Sequence, residues 1–209
     1  GFAGATLASL DALTDLTLRD GAGATTVDTT QTSLNLTLDG MAATSAANLD
    51  TAGPSITALN VTASGSASDV DLTATVLTTA TIAASADLDV SGSTFGDLDT
   101  VTITGTGDVT LGDLSADLET LNASASSGDI SVTVDGTLAD VTTGSGDDSV
   151  TVDTDGITAD VDLGGGDDTL VLNGDTTTVP TGTVAGGADT DTVSMTSASA
   201  QAFDANTNF

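Results

Sequence analysis

Three short acidic turns carry the residue types best suited to chemistry in this chain. They read Gly144-Ser145-Gly146-Asp147-Asp148-Ser149-Val150, Gly164-Gly165-Gly166-Asp167-Asp168-Thr169-Leu170 and Gly186-Gly187-Ala188-Asp189-Thr190-Asp191-Thr192-Val193. Each joins a glycine-rich bend to two aspartates and then to an apolar residue. Gly tolerates positive φ, so such a bend can turn backbone carbonyls toward one point. A hard cation such as Ca²⁺ takes about six to eight oxygens, which carbonyls and carboxylates of two stacked turns can supply. Asp reaches a metal from a tight turn better than Glu does, and of the 31 acids only Glu119 is not Asp. Without a cation, carboxylates about 5 Å apart repel by roughly 0.8 kcal/mol per pair in water, and more near protein. Asp69, Asp87, Asp108 and Asp129 also precede apolar pairs, but without the full glycine phrase. Those four read as ordinary turn residues that need no metal.

Composition removes most other chemistry. The 209 residues contain no Cys, His, Trp, Tyr or Lys, and Arg19 is the single strong base. Thiolate and imidazole catalysis and the usual zinc sites are therefore excluded. A net charge of -30 excludes nucleic acid, whose phosphates demand cations. No apolar run approaches the roughly 18 residues of a membrane-spanning helix, so no membrane insertion is expected. High charge and few aromatics (Phe2, Phe95, Phe203, Phe209) would suit disorder, but 38% of the residues are hydrophobic. Apart from Ala, these are mostly Val, Leu and Ile in short alternations, which is strand chemistry. Gly1 is not an initiator Met and no secretory leader follows it, so the chain reads as a segment of a longer one.

The elements that must position the acidic turns show as an internal repeat. Apolar anchors at Leu16, Leu36, Leu59, Ile82, Val101, Leu121, Val141, Val161 and Val184 are spaced by 19 to 23 residues. Phrases such as Ile56-Leu59-Val61, Leu98-Val101-Ile103 and Leu138-Val141 carry them. Between them lies a second strip, Val70-Leu72, Leu88-Val90, Val109-Leu111, Val132-Val134, Val150-Val152, Leu170-Leu172 and Val193, nearly always introduced by Asp. Each repeat is strand, acidic turn, strand, looser turn. The fold expected is all-β: a right-handed parallel β-solenoid of about ten coils, about 20–21 residues each, stacked at roughly 4.8 Å. Thr (42 residues) suits the outward strand positions, while Ala (30) and Gly (24) suit the corners. Leu7, Leu10 and Leu13 are spaced for a helical turn, yet a degenerate first coil is the better reading. Residues 41–55 lack a second strip and read as a loop bulging outward. Residues 173–183, with Pro180, read as another loop, and the pattern stops after Met195.

The three acidic turns fit the calcium-binding phrase G-G-x-G-x-D-x-U-x, the first two with a departure at its first Gly and the third at its fourth position, where Asp189 stands. In this the chain resembles the RTX repeat proteins secreted by Gram-negative bacteria. The stretch Leu118-Glu119-Thr120-Leu121-Asn122-Ala123-Ser124-Ala125-Ser126-Ser127-Gly128 is similar to a phrase of RTX-type bacterial surface-layer proteins. The resemblance divides a single solenoid, 1–209, into surface-layer-like coils (1–142), RTX-like calcium coils (143–194) and an irregular end (195–209). It implies Asp148, Asp168 and Asp191 as carboxylate ligands of Ca²⁺, with the adjoining Asp147, Asp167 and Asp189 in the same acidic turns. It implies carbonyls from Gly144, Gly146, Gly164, Gly166 and Gly186, and the Asp189 departure weakens the third site. It further implies type I export and an extracellular place at the cell surface.

The function expected is that of a non-enzymatic, calcium-dependent building block of a bacterial surface layer, with an RTX adhesin stalk as the alternative. Its expected partners are further copies in a lattice or filament, and cell-surface polysaccharide. An enzyme acting on acidic polysaccharide could use Asp pairs, but such sites add aromatic platforms and basic groups, and this chain has one Arg and four Phe. Ice binding would need an unbroken column of Thr. The residues after the anchors read Thr17, Thr37, Asn60, Ala83, Thr102, Asn122, Thr142, Asp162 and Ala185, which is interrupted. Adaptation to high salt would recruit Glu along with Asp. Neither terminal stretch, 1–12 or 196–209, reads as a cap.

Overall fold

A computed structural model describes residues 5–8, 10–50, 56–114, 118–136, 139–153, 157–173, 181–195 and 207–208. Two long parallel sheets face one another, and the chain passes from one to the other and back at every turn. Strands are numbered along the chain. The first sheet runs through β1 (Ala5–Leu7), β3 (Ala24–Val27), β5 (Ser45–Asn48), β7 (Ser68–Ala74) and β9 (Leu88–Asp89). It continues through β12 (Val109–Asp113), β14 (Ile130–Val134), β16 (Ser149–Val152), β18 (Thr169–Leu172) and β20 (Thr192–Ser194). The second begins with β2 (Asp15–Arg19), β4 (Ser33–Asp39), β6 (Ala58–Ala63), β8 (Thr79–Ala84) and β11 (Thr100–Gly105). It ends with β13 (Thr120–Ser126), β15 (Asp140–Thr142), β17 (Val161–Asp162), β19 (Val184–Ala185) and β21 (Thr207–Asn208). β10 (Thr94–Phe95) leaves this order and pairs with β7. The winding is a β-solenoid of about eight turns, slightly fewer than the ten expected.

Alternation builds the interior. In β4, Leu34, Leu36 and Leu38 are at most 1% exposed, while Ser33 and Asn35 face outward. One continuous aliphatic core results, running from Val27 to Val184. Among the described residues Phe95 is the one aromatic side chain, and it packs against that core only partly buried. A thin interior of this kind gains about 1.5–3 kcal/mol from each fully buried Leu or Val.

The pairing register corrects the anchor column. Leu36 lies beside Val61, followed by Ile82 and Ile103. Leu34 lies beside Leu59, followed by Ala80, Val101 and Leu121. The expected anchors thus step between two neighbouring inward columns. Residues two apart share a face, so period-2 reading cannot tell one column from the other. Bulges add further slips: Thr102 pairs with Asn122 but Thr104 with Ala125, and Val109 pairs with Ile130 but Gly112 with Val132.

Residues 41–55 also need correction. Residues 45–48 form β5 inside the ladder, Leu49 and Ala47 are 1% exposed, and the Ser45 hydroxyl donates to the Gly21 carbonyl at 2.9 Å. Small residues hide this strand from a search for Val and Leu. The first coil has a strand, β1, followed by a turn in which the Leu13 N–H donates to the Leu10 carbonyl at 2.9 Å, with no helix among its described residues. Pairing resumes after Met195, where β21 lies against β19. Leu138, residues 51–55, the 174–180 part of the Pro180 loop, and residues 1–4, 196–206 and 209 lie outside the described residues.

Candidate metal centre

The acidic turns lie where the chain enters the first sheet, and register stacks them into two neighbouring columns. The outer column is a hydrogen-bonded ladder of carboxylates. Asp87 Oδ1 accepts the Asp108 N–H at 3.1 Å, Asp108 Oδ1 accepts that of Asp129 at 2.9 Å, and Asp129 Oδ1 that of Asp147 at 2.7 Å. Asp147 Oδ1 accepts the Asp167 N–H at 2.9 Å, and Asp167 Oδ1 ends the series on Thr190 N–H at 3.0 Å. The side chains of Asp147 and Asp167 are exposed. Asp87, Asp108 and Asp129 are therefore members of the same column as Asp147 and Asp167. Asp69 stands elsewhere, paired in register with Asp89, and burial with the charges of Asp89 and Asp71 pushes its carboxyl up.

The inner column runs the other way. Asp148 Oδ1 accepts the Ile130 N–H at 2.7 Å, Asp168 Oδ1 accepts the Asp148 N–H at 2.7 Å, and Asp191 Oδ1 accepts the Asp168 N–H at 3.2 Å. Earlier coils fill this column with Leu88, Val109 and Ile130, all at most 2% exposed. Register continues it through Asp148, Asp168 and Asp191. Asp148 and Asp168 are each 1% exposed, so an interior position changes from hydrocarbon to carboxylate between one coil and the next.

The two buried carboxyls are not equally served. Asp148 Oδ2 accepts the Gly144 N–H at 3.2 Å, so both its oxygens have donors. Burial raises its pKa, and the Thr143 hydroxyl with the Ile130 and Gly144 N–H groups pulls it partly back. Asp168 Oδ2 is buried and has no hydrogen-bond partner. The N–H of Gly164, the counterpart of Gly144, donates instead to Asp162 Oδ1 at 3.2 Å. Burial, with the charges of Asp148, Asp191 and Asp147 added, raises Asp168 to about 7, against the lowering effect of the Asp148 N–H. A buried carboxylate oxygen without a donor is costly unless a proton or a cation meets it.

Glycine is obligatory here through close approach. A Cβ on Gly164 would lie 2.1 Å from the Gly144 carbonyl oxygen, and one on Gly166 2.2 Å from that of Gly146. The same contact, at 2.0 Å, joins Gly187 to the Gly164 carbonyl. Gly187, rather than Gly186, therefore holds the register of Gly144 and Gly164; Gly186 stands one residue earlier. Asp189 occupies the place of Gly166 and adopts φ 77°, a left-handed conformation that costs a non-Gly residue about 1 kcal/mol or more.

Among the described residues, no three or more acidic side chains converge as a metal-binding group. The carboxylates are instead arrayed along the stack in two columns, each with one per coil. A cation held here would draw on one or two carboxylates and on backbone carbonyls, an all-oxygen donor set that fits a hard divalent ion. The orphaned Asp168 oxygen is the strongest sign of such a fit. Spacing alone had revealed the acidic turns; it had not separated the outward ladder from the buried column. The Gly107-Asp108 and Gly128-Asp129 pairs were the available signal that the ladder extends upstream. No protein-family model, curated protein or solved structure matches this chain.

Proposed function

We propose that this protein is a structural, non-enzymatic component of a bacterial cell surface: a calcium-stapled β-solenoid that builds a surface layer. The observation that carries the reading is the interior column that turns from Leu88, Val109 and Ile130 into the buried Asp148 and Asp168 and the half-buried Asp191, with one buried oxygen of Asp168 left without a donor. A fold does not place charge in its own core without a compensating partner. Calcium at these turns would join consecutive coils, with Asp148, Asp168 and Asp191 as carboxylate ligands and the stacked glycines supplying carbonyls. When bound, it would contribute the positive charge that a chain of net charge -30 lacks. The absence of Cys suits a chain exported unfolded and folded outside by calcium. Extracellular location and type I export follow from the RTX resemblance.

Calcium titration by calorimetry on the whole protein tests the reading. Binding in the millimolar range or tighter is expected, with Asp168→Ala losing far more of it than Asp87→Ala, whose carboxylate only caps the next coil. Equal losses, or no binding at all, would overturn the metal assignment. Electron microscopy with calcium then tests the assembly. A two-dimensional lattice is expected, and isolated rods would favour an adhesin stalk.

A further inference from the structure

Acids surround this solenoid on nearly every side, with one exception. The exposed ladder of Asp87, Asp108, Asp129, Asp147 and Asp167 lines one edge, and Asp97, Asp99 and Glu119 are exposed at the other. The outward positions of the first sheet include Asp69, Asp71 and Asp89. The outer face of the second sheet differs. Residues 56–68, 72–86, 100–107 and 120–128 contain no charge, and they supply β6, β8, β11, β13 and their flanks. Register sets Asn35, Asn60, Thr81, Thr102, Asn122 and Thr142 in one outward column. Asp15 and Asp39 bound this neutral field at one end, and Asp140 and Asp162 at the other.

We infer that this neutral face of the second sheet, centred on Thr81, is where a second copy of the chain docks, face to face. Like charge opposes approach of two such chains through any acidic side. Carboxylates accept hydrogen bonds and cannot donate them, so an acidic face cannot pair with itself. Hydroxyl and amide groups both donate and accept, so a Thr/Asn face is complementary to its own copy. The side chains are also partly ordered before contact. Asn60 Nδ2 donates to Asn35 Oδ1 at 2.9 Å, and Asn35 Nδ2 to Asp15 Oδ1 at 2.9 Å. Thr has restricted χ1, so little side-chain freedom is lost on docking.

The size of the face sets the kind of contact. Four strands about 4.8 Å apart, with about five residues of 3.3 Å rise each, make a field of roughly 19 by 17 Å. That is about 300 Å² per copy, below the roughly 800 Å² per partner of a standard stable complex. A single pair is therefore weak, and repetition within an assembly is what would hold it. This inference rests on the self-association in the function proposed above, and it adds the surface used.

The chain contains no Cys, so single-cysteine variants of the full chain give background-free cross-linking. With millimolar calcium, at high protein concentration and under mild oxidation, Thr81→Cys should form disulfide-linked dimer at least tenfold faster than Thr151→Cys on the opposite sheet. Thr81→Asp, which charges the centre of an exposed face without entering the core, should lower association by sedimentation while the β circular dichroism is unchanged. Equal cross-linking at the two positions would overturn the inference, as would Thr81→Asp associating like the parent. A chain that stays monomeric but shapes growing ice crystals would assign the face to ice instead. Calorimetry on the same samples keeps the two readings apart: calcium binding without preference for Thr81 removes the docking face and leaves the metal assignment standing.

Discussion

Asp168 concentrates the conflict in this molecule. Its carboxyl is buried, one of its oxygens has no donor, and its pKa is raised from 3.8 to about 7. An acid with a raised folded pKa holds its proton more tightly folded than unfolded. Between about pH 4 and 7 the folded state therefore binds more protons, and stability falls as pH rises through that window. Without calcium, the coils around Asp168 should be more stable at pH 5 than at pH 8, as thermal unfolding followed by circular dichroism would show. Asp168→Asn removes the charge and keeps an oxygen for the Asp148 N–H. It should raise calcium-free stability at pH 8 by on the order of 2 kcal/mol and flatten the pH dependence. A parent chain equally stable at both pH values would remove the conflict. The one ion pair among the described residues, Arg19 to Asp39 at 2.9 Å, changes little in comparison, since the Arg19 side chain is 64% exposed.

At the scale of the element, the acidic turns depend on stacking more than on their own conformation. Gly166 adopts φ 118°, and a Cβ there would meet the Gly146 carbonyl of the previous coil at 2.2 Å. Gly166→Ala should therefore separate two coils as well as strain one turn, at a cost of about 2–4 kcal/mol. Hydrogen exchange should locate the damage in residues 140–195, with β6, β8 and β11 protected as in the parent. A loss spread evenly over the chain would mean that the coils unfold as one unit. The outer ladder explains why the upstream turns keep their aspartates without the full glycine phrase. Asp87 and Asp108 each satisfy a backbone N–H of the next coil, a role worth about 1 kcal/mol apiece that needs no metal.

For the whole molecule, the change in the inner column divides one continuous ladder into two regimes. From β4 to β14 the interior is uncharged, aliphatic apart from the buried hydroxyls of Ser45, Ser68 and Ser126, whereas from Asp148 onward the inner column carries a carboxylate in each coil. Repeat proteins are stabilised by nearest neighbours, so a local cost need not unfold distant coils. With chelator present, hydrogen exchange should stay slow across residues 56–134 and become fast across 143–194. Calcium should restore protection in the second segment alone. Uniform protection with chelator would show that the buried aspartates are tolerated as acids and that calcium is not a folding cofactor.

Much of this was legible in the sequence. A repeat near 21 residues, alternation of small aliphatic residues and the Gly-Asp bends together determine a β-solenoid, because no other packing buries such short strands so regularly. The three turns at 144, 164 and 186 were equally plain as candidate sites. Register was decided only by the tertiary structure. Leu36 could face Leu59 or Val61 with the same pattern of polarity, and stacking chose Val61. The strand at 45–48 was hidden because Ser45 and Ala47 are buried by the coils beside them and not by their own hydrophobicity. The split of adjacent aspartates into an exposed ladder and a buried column was decided the same way. Asp147 and Asp148 are neighbours of one chemical type, and only the strand that follows, with sides that alternate by residue, sends one to solvent and the other into the core.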